Sequence, residues 1–455
     1  MDPRRDTFIL TSRPVYLATA AVCSALWLYG NVFQISHWRS TWTRARTEPI
    51  PSPLATKVAS LSREEQDDLP YPPGAIPGGR SVDTPYGVIR VYEWGPEDGR
   101  KVLLVHGIST PCISLAGVAD GLVKKGCRVM LFDLFGRGYS CAPDPLAHPQ
   151  DTRLFTTQIL LVLASSPLPW TGDGAFSLIG YSLGGGIAAD FTSYFPHLVD
   201  SLILIAPSGI IRPGHISRSS KLLYNGLLPD FFVYQLVRRR LRSGGPAAPG
   251  PRHGNPEATT SSLSLTTTAA AADTATQAIS GETAEYDTND APPAPAPPPP
   301  PHPALAPDST TALPAAKPGI SIADAVRWQL SHHPAFLPSF ISSIRHAPIS
   351  NQHARWRLTG ARLAAQRTSP AAGDDGETRR LGLREGKVLV VLGREDGIVV
   401  AGEVAEDARG VFGRDGVEVV EMEGAGHDVP ISRAGEVVGV VVGFWERGAE
   451  GAVDG

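Results

Sequence analysis

The sequence predicts an α/β protein with a mostly parallel central sheet flanked by helices, and three observations carry that prediction. From Lys101 to Ala206 short apolar runs alternate with helical patterns, the rhythm of βαβ units with helices on both faces of a sheet. The run Phe176 to Tyr181 breaks into Gly180-Tyr181-Ser182-Leu183-Gly184, which reads as strand, sharp turn and helix. After a long interruption the same rhythm resumes at Lys387 and runs to the last helix.

Taken in order, residues 1–46 hold the stretch Val15 to Ile35, which carries no charge and as a helix reaches roughly 30 Å, enough to cross a bilayer. Trp27, Tyr29 and Trp38 lie near one end, as in a signal anchor, and Gly30-Asn31-Val32 is a poor cleavage site. Arg4, Arg5 and Arg13 on one side balance Arg39, Arg44 and Arg46 on the other, so charge does not set the orientation. The absence of any Asn-x-Ser/Thr acceptor, together with unpaired cysteines, places the body of the chain on the cytosolic side. Residues 47–80 are polar and rich in Pro and Gly and read as a linker, with a short helix from Ser62.

Residues 81–207 form the first part of the core. Val82 to Trp94 alternates like a hairpin turning at Pro85-Tyr86-Gly87. Lys101 to Val105 is a strand running into His106-Gly107, and a helix from about Leu115 to Lys125 leads to a second buried strand, Cys127 to Leu134. Beyond Ser182, Ile187, Ala188, Phe191, Tyr194 and Phe195 recur at helical spacing, and Ser201 to Ala206 is the next strand.

Residues 208–380 interrupt the rhythm and read as a helical cap. Lys221 to Arg242 is apolar and then basic, with Phe231, Phe232, Tyr234, Leu236 and Val237 leading into Arg238-Arg239-Arg240. Such a helix can lie against a membrane or lipid, or its arginines can simply finish a helix at the favourable C-terminal end. Residues 243–319 are Ala, Pro, Thr, Ser and Gly with almost no large apolar side chain, a composition that predicts disorder. Ile320 to Arg357 regains helical character, with Ile322, Val326, Trp328 and Leu330, then Phe336, Phe340 and Ile344. Residues 381–448 complete the core: a strand Lys387–Leu392 running into Glu395 and Asp396, a helix at 401–410, a strand Val417–Met422 leading to Gly426-His427-Asp428, and a helix from about Ala434 to Arg447. A tail, 449–455, follows.

Composition narrows the function classes. A net charge of −4 leaves no electrostatic footprint for nucleic acid. The cysteines at 23, 112, 127 and 141 have neither zinc-ligand spacing nor a disulfide framework and read as buried free thiols. His332, His333, His346 and His353 fall at no ligand spacing and read as surface or packing residues.

A serine hydroxyl needs a base within hydrogen-bond reach, and the base needs a carboxylate to hold its tautomer. Ser182 sits where strand and helix must pass closely, with Gly180 and Gly184 as the small residues two before and two after it. His106-Gly107 after an early strand, the G-x-S-x-G turn, and then Asp396 and His427 after late strands occur in an order that resembles the α/β-hydrolase fold enzymes. That cap-bearing group includes esterases, lipases, thioesterases and carbon–carbon bond hydrolases, and the resemblance covers residues 82–242 and 320–448. It implies Ser182 as nucleophile, His427 as general base and Asp396 as orienting acid, with Glu395 as the rival acid and Asp428 ranked below both. It also implies oxyanion donors at the backbone N–H of Leu183 and of Ile108, and site-shaping roles for His106, Gly107, Gly180 and Gly184. Asp133, Gly136, Gly138 and Ser140 resemble a family turn beside the site, where Cys141 stands in place of an aspartate common in relatives. The resulting expectation is a membrane-anchored serine hydrolase, without cofactor or metal, acting on a lipid or other apolar ester. The same three residues also serve thioester, amide or carbon–carbon cleavage, and a non-catalytic scaffold that binds a ligand or partner is the reading from another class.

Overall fold

In the computed structural model the described residues are 48–172, 175–215, 218–242, 310–313, 319–368, 382–383 and 386–451. An eight-stranded sheet organises them, in the order β1-β2-β4-β3-β5-β6-β7-β8. The strands are β1 (Gly79–Val82), β2 (Ile89–Trp94), β3 (Lys101–Val105), β4 (Arg128–Phe132), β5 (Phe176–Tyr181), β6 (Val199–Ile205), β7 (Val388–Gly393) and β8 (Val417–Met422). β1 and β2 form the expected hairpin, β2 runs antiparallel to β4, and every other pairing is parallel. Every residue of β5, β6 and β7 is buried, because helices cover both faces, and this is why those strands read as unbroken apolar runs.

The helices are α1 (Arg63–Asp67), α2 (Ala116–Lys124), α3 (Thr152–Ala164), α4 (Leu183–Tyr194), α5 (Arg218–Tyr224), α6 (Asp230–Arg242), α7 (Ile322–His332), α8 (Phe336–His346), α9 (His353–Thr368), α10 (Ala401–Phe412), α11 (Val429–Ser432) and α12 (Ala434–Gly451). The capping box expected of Ser62 is present, with Glu65 closing it over α1. Asp151 caps α3 by accepting from the N–H groups of Arg153 and Leu154. α12 lies on the sheet, where Trp445 donates its indole N–H to Ser201 Oγ at 2.8 Å.

Three expectations need correction. Residues 47–80, read as a linker, are packed from 48 onward: Ile50 pairs with Ala142, and Pro53, Val58, Tyr71 and Ile76 are buried. A few isolated anchors hold this segment, which leaves no periodic pattern for a sequence reading to find. The single helix expected over Lys221 to Arg242 is two, α5 and α6, interrupted at Gly226 (φ +82°) and Pro229. The helical character expected from Ile320 is present, as three helices, and α7 stops at His333, which is held extended by the clash that Pro334 imposes on its predecessor.

Finally, α9 does not belong to a cap. It packs against α4 and α10, with Trp356 stacked on Phe412 and Gly360 so close to α10 that a Cβ would lie 2.1 Å from the Val411 carbonyl. The helical excursion is therefore α5 to α8. The expected insertion 243–319 lies almost wholly outside the described residues. Its returning end, 310–313, is ordered, with Ala312 pairing with Ser321 and Leu313 buried. The expected anchor Val15 to Ile35 and Cys23 also lie outside them, and among the described residues no helix is long and apolar enough to cross a membrane.

Candidate active site

β5 delivers Ser182 at the mouth of the sheet, and the backbone there is strained: Ser182 has φ 53° and ψ −118° in a non-glycine residue. The turn is held because Ser182 N–H donates to Ile205 O at 3.0 Å, while Ser182 O accepts from Gly185 N–H and Ser208 N–H, each at 2.9 Å. Both expected glycines are required by space. A Cβ on Gly180 would lie 2.2 Å from the Gly184 carbonyl oxygen, and one on Gly184 would lie 2.0 Å from that of Val105. Gly107 also lies against the serine, at 3.3 Å from its Cβ to an added methyl.

The loops after β7 and β8 bring the other two residues in. A Cβ on Gly393 would meet the Gly426 carbonyl at 2.3 Å, so the two loops touch just before Asp396 and His427. His427 Nε2 lies 2.9 Å from Ser182 Oγ, and its Nδ1 lies 2.8 Å from Asp396 Oδ2. Asp396 Oδ1 accepts from the N–H groups of Ile398 and Val399 at 2.7 and 2.8 Å. That pair fixes the carboxylate and leaves Oδ2 for the imidazole, so Nδ1 carries the proton and Nε2 faces the hydroxyl. Asp396 and His427 are buried, whereas Ser182 is half-buried and reachable. The rival acid Glu395 is exposed. Asp428 turns away and accepts from Thr311 Oγ1 at 2.6 Å.

Leu183 and Ile108, the expected oxyanion donors, are both buried: Leu183 opens α4 directly after the serine, and Ile108 follows Gly107. His106 takes a supporting part, with Nε2 accepting from Leu134 N–H at 2.9 Å and Nδ1 on the Gly107 carbonyl at 2.7 Å. Burial, with the Arg137 charge adding to it, pulls its pKa down to about 3, so the ring is neutral and braces the loop. Asp133 anchors the adjoining turn, accepting from the N–H groups of Cys112 and Tyr139 and from Tyr71 Oη. Burial lifts its pKa to about 6 against those hydrogen bonds. Gly138 has φ +51°, and a Cβ there would fall 2.2 Å from Asp133 Oδ2. Cys141 is buried, its backbone N–H donates to Val88 O and its carbonyl accepts from Gly136 N–H.

Three supporting residues escape a sequence reading. Arg137 is fully buried with neutral partners, donating to the carbonyls of Ile108 and Phe135, to Gln150 Oε1 and to Ser343 Oγ, and burial lowers its pKa to about 9. Gln329 on α7 donates to Ser109 O and accepts from Gly138 N–H, each at 2.9 Å. His333 places Nε2 2.9 Å from Ser140 O. Only Arg137 carried a signal, its place inside the Asp133 to Ser140 turn. The other two are single polar residues, Gln329 on an amphipathic helix and His333 in the extended link after it.

Comparison with known proteins bears on the fold around Ser182. The α/β-hydrolase fold family matches residues 101–249. A serine hydrolase-like protein of Dictyostelium discoideum is 33% identical over 124 residues, 27% of this chain and 33% of that protein. Another from Danio rerio is 29% identical over 131 residues, 29% of this chain and 38% of that protein. The matches thus span little more than a third of those relatives. Among solved structures, a protein described as a candidate lipase from Acinetobacter baumannii AYE superposes with a TM-score of 0.50 at 14% identity, covering 83% of this chain and 93% of its own. At that identity the likeness speaks for fold alone. The chain has the α/β-hydrolase fold, with its mostly parallel sheet between helical layers.

Proposed function

We propose that this protein is a serine hydrolase that cleaves a carboxylic ester of a lipid or other apolar acyl group, with Ser182, His427 and Asp396 as its catalytic residues. The observation that carries the reading is the unbroken hydrogen-bonded chain from Ser182 Oγ through His427 to Asp396 Oδ2. The fold and the serine hydrolase-like names of relatives support the same class.

In this reading Ser182 Oγ attacks the ester carbonyl carbon as its proton passes to His427 Nε2. Asp396 stabilises the imidazolium, and the N–H groups of Leu183 and Ile108 hold the carbonyl oxygen as it becomes negative. The C–O bond to the alcohol breaks, and His427 returns the proton to the leaving oxygen, which leaves an acyl-serine. Water then attacks the acyl carbon, losing its proton to His427 Nε2, and the carboxylic acid departs as Ser182 Oγ recovers that proton. An apolar acyl group is favoured by the apolar helices of the excursion. The uncharged run Val15 to Ile35 supports a single-pass anchor, and the lack of an Asn-x-Ser/Thr acceptor together with the unpaired cysteines favours the cytosolic side for the catalytic body.

The test is labelling of the full chain with a fluorophosphonate, followed by peptide mass spectrometry. The expected adduct lies on Ser182, vanishes in Ser182→Ala and weakens in His427→Ala, and turnover of p-nitrophenyl esters falls with it. A folded protein that takes no adduct would overturn the reading and favour a non-catalytic scaffold.

A further inference from the structure

Exposed large apolar side chains on the described residues are concentrated on one segment. Leu222, Leu227, Phe231, Phe232 and Leu236 are exposed by 53, 77, 49, 54 and 52%. They belong to α5, the turn after it and the outer face of α6. The inner face of α6 is already used: Val233 and Val237 are buried, the helix packs on α7 and α8, and Asp230 pairs with Arg345 at 2.8 Å. The exposed aromatics are therefore not waiting for a place in the core.

At about 100° per residue, Phe231, Gln235, Arg238 and Arg242 fall in one row, flanked by Phe232, Leu236 and Arg239. Arg238, Arg239 and Arg242 are exposed, and with Gln235 they line one surface hollow. The outer face thus reads apolar along its first two turns and cationic along its last two. Between Leu222 and Arg242 the sole acidic residue is Asp230, which is held by Arg345.

We propose that this face docks on an anionic lipid bilayer, with Leu227, Phe231, Phe232 and Leu236 entering the headgroup and acyl boundary and Arg238, Arg239 and Arg242 meeting lipid phosphates or carboxylates. A helix with a strong apolar face beside clustered arginines gains from both contributions at such a surface. A second copy of the chain fits poorly, because both copies would bring the same cationic face to the contact and neither offers an unengaged acid on this segment to neutralise it. α6 rests on the helices that carry Gln329, Ser339 and Ser343, so docking would hold the excursion, and the loops it is stitched to, next to the bilayer.

Hydrogen exchange on the full chain tests this without any turnover, so its failure is distinct from failure of the hydrolytic reading. Vesicles of phosphatidylcholine alone are compared with vesicles containing phosphatidylserine. The expected result is slower exchange, by fivefold or more, in peptides from 222–242 with the anionic vesicles only. Each arginine near an anionic surface is worth roughly a fivefold change in binding, so R238Q/R239Q/R242Q should weaken the interaction about 100-fold and abolish the protection. F231S/F232S should also abolish it, and both variants should keep their thermal midpoint and their hydrolysis of a soluble short-chain ester within twofold. Unchanged exchange with anionic vesicles overturns the proposal, as does equal protection by neutral ones. Protection without vesicles that rises with protein concentration would assign the face to self-association instead.

Discussion

Two neighbouring carboxylates, Glu395 and Asp396, compete for one role, and their surroundings separate them. Asp396 is buried with Oδ1 committed to two backbone N–H groups and Oδ2 on the imidazole, whereas Glu395 is exposed. Asp396→Asn would offer an amide in place of the acceptor and favour the wrong imidazole tautomer, so ester turnover should fall roughly 10³- to 10⁴-fold. Glu395→Gln should stay within twofold. Comparison of kcat/KM for the two folded variants decides it, and a larger loss in Glu395→Gln would reverse the assignment. At this scale the serine, acid and histidine were legible because each sits just past a strand that the apolar pattern reveals. Gln329 and Tyr71 were not, because their partners are backbone atoms and side chains brought from distant parts of the chain only by folding.

Between elements, the excursion is tied to the core by single polar residues, and His333 gives that tie a pH dependence. Its ring is buried between α8 and the Asp133 to Ser140 turn, bonded to Ser140 O through Nε2 and accepting from Ala335 N–H at Nδ1. Burial lowers its pKa to about 4, the Arg137 charge adds to that, and the bond to Ser140 opposes it. The unfolded chain therefore takes up a proton near pH 6.5 while the folded chain does not. Stability from this residue is complete above pH 6.5 and is lost as pH falls through that value toward about 4. His333→Asn removes the titration. The variant should be the less stable form at pH 7.5, and the gap should close by about 1.4 kcal/mol per pH unit between pH 6 and 4.5. His106, Asp133 and Asp190 also titrate abnormally, but they are common to both proteins and cancel in the difference. Urea midpoints at pH 7.5, 5.5 and 4.5 read the effect, and a gap independent of pH would show that the folded ring accepts a proton freely. The helices themselves were legible here from their apolar spacing. Where each one stops was less so, since Gly226, Pro229 and Pro334 break patterns that continue through them.

For the molecule as a whole, the sheet was legible because strands covered on both faces must be apolar throughout, and β5, β6 and β7 are. The N-terminal part of the folded body was not. Its polar, Pro-rich sequence follows a path held at separate points, and Tyr71 is the deepest of them. Tyr71 is fully buried, its hydroxyl lies 2.8 Å from Tyr92 Oη and 3.2 Å from Asp133 Oδ2, and its carbonyl accepts from Tyr139. A chain begun at Ser81, as a linker reading would allow, strips that ring and its hydrogen bonds from Tyr92, Asp133 and Tyr139, all of which are buried. Loss of one buried aromatic costs about 3–5 kcal/mol, and each polar group left unsatisfied adds about 1–3. Set against a total stability of about 5–15 kcal/mol, this should leave the Ser81 chain unfolded or insoluble. A chain begun at Glu48 keeps every one of these contacts and should melt cooperatively. Tyr71→Phe in that longer chain isolates the hydroxyl and should cost about 1–3 kcal/mol. Thermal unfolding of the three proteins separates the outcomes, and equal midpoints for the Ser81 and Glu48 chains would return residues 48–80 to the status of a dispensable linker.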